Sequence, residues 1–101
     1  MEFEMIAARD LDRYAKDKNA FIIDLRTPDE YVQEHIRGAV NIPYERLQNC
    51  HSLPLDMYLV LYCERGSISM AAARELAEKG YDVKTVIGGI HAYRGRMLES
   101  Y

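Results

Sequence analysis

Tryptophan is absent from this chain, cysteine occurs twice and proline three times. No apolar run approaches the ~20 residues that a membrane-spanning helix needs, so no membrane partner is expected. Two cysteines, Cys50 and Cys63, do not make a disulfide framework, and 101 residues with 49 % apolar content can bury a core without one. Neither cysteine sits in a C-x-x-C or C-x-x-H spacing, and His35, His51 and His91 are scattered, so neither a metal nor a cofactor is expected. Positive charge is in short supply as well. A net charge of −3 argues against a nucleic-acid or acidic-membrane partner, because both reward clustered Lys and Arg. The first residues, MEFEMIAARD, carry acids and offer neither a cationic stretch nor an apolar one. No export signal is read there, and the cytoplasm is the expected compartment. Linkers, repeats and low-complexity segments are missing too, so a single domain over residues 1–101 is expected.

What is present is an alternation of elements. Three short apolar runs stand out: Phe21-Ile22-Ile23-Asp24-Leu25, Tyr58-Leu59-Val60-Leu61-Tyr62 and Val83-Lys84-Thr85-Val86-Ile87. The first two are nearly continuous and the third is β-branched, as expected of parallel strands covered on both faces by helices. Helical segments fall between them, which predicts a βαβα order and an α/β fold of three layers, α/β/α, around a mainly parallel sheet. Thr27-Pro28-Asp29-Glu30 is a capping box, with Thr27 as N-cap, proline at the first helical position and Glu30 three residues on. Residues 68–79 place Ile68, Ala72 and Leu76 on one stripe and Met70, Ala73 and Ala77 on its neighbour, with Gly80 as C-cap. Helices are also expected over 7–16 and 90–98, and a loop with one helical turn between Asn41 and Leu55.

Ligands of open α/β sheets bind beyond the carboxyl ends of the strands. Asp24-Leu25-Arg26, Cys63 and Gly88-Gly89 end the three runs, so they converge there. The loop Cys63-Glu64-Arg65-Gly66-Ser67, continued by Ile68, lies between a buried strand and a helix N-terminus. A thiolate is the nucleophilic form of cysteine, and first-turn amides with a neighbouring guanidinium favour the anion. A loop curled around the sulfur aims several N–H donors at it, and Gly66 permits the positive φ such a curl needs. The bland reading is a cysteine serving as a small buried hydrophobe. Asp24 and Arg26 either buttress the rim of the site, or Asp24 caps loop amides while Arg26 pairs with Glu30. Arg65 is either a substrate-facing cation or a solvated charge, and Glu64 is expected to point outward. Cys50 is expected to be a bystander and His35 a structural residue at a helix end.

The chain resembles the rhodanese-like family. Ile23-Asp24-Leu25-Arg26, Glu30-Tyr31 and the stretch from His35 to Pro43 look like its first signature. Cys63-Glu64-Arg65-Gly66-Ser67 looks like its active-site loop, and residues 71–76, Gly80-Tyr81 and Gly88-Gly89 match its closing pattern. The resemblance implies a rhodanese-like fold and a sulfurtransferase in which Cys63 takes a sulfane sulfur from a thiosulfate-like donor. The resulting persulfide then passes it to a thiol, cyanide or protein acceptor. Many single-domain relatives carry arginine where this chain has Ile68, so a cation that could grip a sulfonate is missing. Glu34 and Tyr93 also depart from the family pattern, at positions expected to be peripheral. A second reading of the same fold is a persulfide carrier without turnover, or a protein-interaction module. A third, a phosphatase, needs arginine six residues after the cysteine to clamp phosphate, and Ser69 occupies that position.

Overall fold

The computed structural model describes residues 2–101. From its N-terminus the chain runs through β1 (Glu4–Ile6), a 3-10 turn (Ala8–Asp10), α1 (Leu11–Tyr14), β2 (Ala20–Asp24) and α2 (Pro28–Gln33). It continues through β3 (His35–Ile36), β4 (Val40–Asn41), α3 (Tyr44–Leu47), β5 (Tyr58–Tyr62) and α4 (Ser67–Glu78). After β6 (Val83–Val86) come a second 3-10 turn (Ile90–Ala92) and β7 (Leu98–Glu99). The three apolar runs became β2, β5 and β6, the centre of a five-stranded sheet ordered β1-β6-β5-β2-β4. Every neighbouring pair in it is parallel. The expected α/β fold with a central parallel sheet is the one observed.

Strand alternation sorts the apolar side chains into two cores. Ile22, Val60, Tyr62 and Val86 face one side, where they meet Leu11, Tyr14, Ile36 and Tyr93. Ile23, Leu59, Leu61, Cys63 and Val83 face the other, against Ala72, Ala73, Leu76 and Leu47. Each Leu, Ile or Val so enclosed contributes ~1.5–3 kcal/mol through removal from water, and this double burial is why the central runs are apolar at nearly every position.

The sheet order creates the crevice that matters. Beyond β2 the chain moves outward to β4, whereas beyond β5 it moves to β6 on the opposite side. The carboxyl ends of β2 and β5 therefore flank a topological switch point, the usual ligand position in such sheets. The amide of Leu25 donates to the carbonyl of Tyr62 at 2.9 Å and extends the ladder to the lip of that crevice.

Helix ends follow the capping chemistry. The hydroxyl of Thr27 accepts from the Glu30 amide at 3.3 Å, and the Glu30 carboxylate accepts from the Thr27 amide at 3.0 Å, closing the capping box. At the C-terminal end of α4, Tyr81 N–H donates to the Leu76 carbonyl and Gly80 N–H to that of Ala77, the Schellman pair.

Two expectations need correction. Ile68 and Met70 do not face the core: the buried stripe of α4 is Ser69, Ala72, Ala73, Leu76 and Ala77. Its phase is set by polar Ser69, whose hydroxyl is satisfied inside, so an apolar-only count chooses the wrong starting residue. The helix expected over 90–98 is only the 3-10 turn, because Tyr93 is extended (φ −80°, ψ 135°). Its buried hydroxyl donates to Asp12 and accepts from the Met97 amide at 2.8 Å. That anchoring frees Leu98 and Glu99 to pair antiparallel with Ile36 and His35.

Candidate active site

Cys63 follows the last residue of β5 and continues its alternation, so its side chain lies on the α4 face with only 3 % exposure. The loop after it bends back over the sulfur. Sγ accepts from the Gly66 amide at 3.0 Å and from the Ser69 amide at 3.4 Å. Two N–H dipoles thus converge on one sulfur, and both stabilise negative charge there. Helix geometry leaves the amides of Ser67 and Ile68 without intrahelical acceptors in the same first turn.

Backbone shape at Gly66 makes the curl possible. Its φ is +105°, a conformation that side-chain-bearing residues rarely adopt, and a Cβ there would sit tightly, 3.1 Å from the Gly88 nitrogen. Gly89 closes the loop from below. The Ile90 amide donates to the Cys63 carbonyl at 2.9 Å, and the His91 amide donates to that of Glu64 at 3.0 Å. A Cβ on Gly89 would run into those two carbonyls. The expected convergence of Cys63 with Gly88-Gly89 is thus a backbone-to-backbone seat.

A buried hydroxyl relay fixes the cradle to the sheet. Thr85 Oγ1 donates to Ser69 Oγ at 2.7 Å, and Ser69 Oγ donates to the Gly66 carbonyl at 3.1 Å. All three residues are buried. From the sequence alone, Ser69 reads only as the residue standing where a phosphate clamp would be. The available signal was a small polar residue at the third position of a helix whose later stripe is alanine and leucine.

Asp24 and Arg26 form the rim on the β2 side. Asp24 is fully buried, and its carboxylate meets the guanidinium through Nε at 3.1 Å and Nη2 at 2.8 Å, with the Arg26 amide donating at 2.9 Å. Burial works against the Arg26 charge, yet the bonds and field of Asp24 hold it protonated beyond its ordinary range. Arg26 also donates to the Glu34 carbonyl and, across the crevice, to Glu64 at 3.4 Å. Both earlier readings are partly realised, because Asp24 caps a loop amide and also buttresses the rim. The partner of Arg26 is Asp24 rather than Glu30, which is engaged by Thr27. Asn41 Nδ2 pins the same turn, donating to the carbonyls of Asp24 and Arg26 at 3.0 Å each.

Glu64, Arg65, Ser67 and Ile68 all point outward. Ile68 is 45 % exposed, which removes any need for an apolar side chain there. Arg65 forms no ion pair among the described residues, whereas Glu64 is tied to Arg26. Cys50 lies half-buried against the core cluster that contains Cys63, and both are free thiols. His35 is buried, with Nδ1 2.6 Å from the Tyr31 carbonyl and its ring stacked on Tyr31 at 3.8 Å, a structural placement as expected.

The fold and this cradle define a parallel α/β domain centred on a loop-held cysteine. The chain belongs to the rhodanese-like domain family, whose model matches residues 7–96. Over 96 residues it is 27 % identical to the thiosulfate sulfurtransferase GlpE of Coxiella burnetii, covering 93 % of this chain and 90 % of that protein. It is 38 % identical over 76 residues to the tRNA sulfurtransferase of Desulfurococcus amylolyticus, covering 75 % of this chain but only 15 % of that much longer protein. The rhodanese-like domain protein of Staphylococcus aureus superposes with a TM-score of 0.85 at 27 % identity, over 98 % of this chain and 99 % of that one. Among the described residues no helix is long and apolar enough to cross a membrane.

Proposed function

We propose that this chain is a sulfurtransferase that carries a sulfane sulfur on Cys63. The carrying observation is the Cys63 sulfur held by the Gly66 and Ser69 amides at the switch point of the sheet. The Cys63 thiolate attacks the outer sulfur of a thiosulfate-type donor. A new S–S bond forms, the donor's own S–S bond breaks, and its electron pair leaves with sulfite. The product is Cys63–S–S⁻, and the total charge is unchanged. The free first-turn amides of Ser67 and Ile68 suit the displaced negative charge on the outer sulfur. A thiolate, cyanide or protein nucleophile then attacks that outer sulfur, and the electron pair of the broken bond returns to Cys63. The thiolate is the nucleophile, so the transfer step itself needs no neighbouring general base.

Phosphoryl transfer is disfavoured by the same geometry, since Ser69 is buried in the hydroxyl relay at the position where a phosphate clamp would stand.

Intact mass after thiosulfate should show one added sulfur atom, removed by cyanide or dithiothreitol. Cys63→Ser should lose both the added sulfur and turnover while melting as the parent does, whereas Cys50→Ser should keep most activity. Equal loss in the two variants would replace this reading with a two-cysteine relay.

A further inference from the structure

A run of shallow hollows leads away from the Cys63 loop. The first, about 250 Å³, is lined among others by Arg65, Gly66 and Ser67 and by Met5, Met70 and Ile87. Ile87 is also a wall of the second, about 490 Å³, which adds Ala7, Ala8, Ala92, Arg9 and Arg94. Arg94, Gly95 and Asp12 are shared with a third, about 370 Å³, which adds Lys16 and Arg96. Met5, Met70 and Ile87 are exposed despite being apolar.

Charge is distributed unevenly along this run. Arg9, Lys16, Arg65, Arg94 and Arg96 are exposed, and none forms an ion pair among the described residues. The acid in these walls is Asp12, one of whose oxygens already accepts from Tyr93. Arg94 is fixed in place by bonds from Nη1 to the carbonyls of His91 at 2.7 Å and Tyr93 at 3.0 Å. A chain of net charge −3 therefore gathers five unpaired cations around hollows, the first two mainly apolar, that begin at its candidate catalytic loop.

We propose that this groove docks an acidic, aliphatic segment of the protein that exchanges sulfur with Cys63. This deepens the sulfurtransferase reading and rests on it for the identity of the cargo. Carboxylates of an extended segment pair with the guanidiniums, and its aliphatic side chains fill the hollows lined by methionine, isoleucine and alanine. Arginine and methionine are among the residues that protein interfaces favour. A nucleic acid fits less well. The groove walls contain no aromatic ring on which an unpaired base could stack.

Binding is read on the Cys63→Ser protein, by fluorescence anisotropy of labelled peptides, so that it does not depend on sulfur chemistry. The probes are an extended peptide alternating glutamate with leucine or glycine, its lysine counterpart, and an oligouridylate. We expect the acidic peptide to bind at least tenfold tighter than the basic one, and to weaken at least tenfold at high salt. The triple variant Arg9→Glu, Arg94→Glu, Arg96→Glu should remove the preference, Ile87→Asp should weaken binding, and Arg74→Glu, outside the groove, should change nothing. Equal binding of both peptides, or an unaffected triple variant, would overturn the proposal, as would tighter binding of the oligouridylate. Persulfide formation from thiosulfate should be the same in the parent and in the triple variant. Its absence from both would defeat the sulfurtransferase reading and leave the groove standing.

Discussion

Ser69 faces two ways at once: its amide points to the Cys63 sulfur at 3.4 Å, while its hydroxyl accepts a hydrogen bond from Thr85 at 2.7 Å. One residue in the first turn of α4 thereby joins the cradle to β6. Ser69→Ala keeps the amide but leaves the Thr85 hydroxyl without its buried partner, a cost of about 1–3 kcal/mol, while the Gly66 carbonyl still accepts from the Met70 amide at 3.2 Å. Thr85→Val, combined with Ser69→Ala, removes the orphaned donor and should recover part of that loss. A denaturant double-mutant cycle checks this, and strict additivity would show that the two hydroxyls do not act together.

Under the proposed function, Ile68 is the position where an anionic donor would lack a cation. Thiosulfate is a dianion, and seating it beside a thiolate sets like charges together. Ile68→Arg should lower its KM about tenfold, equivalent to ~1.4 kcal/mol. At 45 % exposure the side chain can be replaced without burying charge, so the melting temperature should hold. A folded variant with unchanged thiosulfate kinetics would show that this side chain does not meet the donor.

Arg26 and Asp24 are coupled by burial. Arg26→Met leaves a fully buried carboxylate with little more than one backbone amide, which should cost at least about 3 kcal/mol in urea unfolding. Adding Asp24→Asn should restore a substantial part. If the single variant were as stable as the parent, the pair would be ornamental to the fold.

Glu30 carries a pH dependence of defined sign. The amide of Thr27 holds its carboxyl below the usual 4.5; slight burial opposes this, and the Thr27 hydroxyl and Arg26 charge add to it. A lowered value stabilises the fold above the unfolded-state pKa, and the contribution fades as pH falls through the folded value. Against Glu30→Gln, the parent should be more stable by up to ~1 kcal/mol at neutral pH, through charge at a helix N-terminus. The two should converge in acid, and thermal melts across pH 3 to 7 measure this.

The central architecture was legible because burial on both faces writes β2, β5 and β6 as apolar runs, and because Thr27 to Glu30 and Gly80 announce helix ends locally. The cysteine loop was legible for a similar reason, since only glycine serves at Gly66 and Gly89. Edge elements were not. β4 has two residues and β1 three, too few for a period-2 pattern to emerge. The pairing of β7 with β3 depends on Tyr93 being anchored by Asp12, a contact between chain ends that no local pattern records. The exposure of Ile68 and Met70 was missed because Ser69, not an apolar residue, sets the phase of α4.

The sulfur's observed hydrogen-bond donors are main-chain amides, and its seat is made from two glycines and a pair of carbonyls. Frame and outward side chains are therefore separable in this loop. Under the proposed sulfurtransferase reading, Glu64, Arg65, Ser67 and Ile68 form an outward-facing alphabet that can be rewritten for a new donor while the frame holding Cys63 keeps its shape.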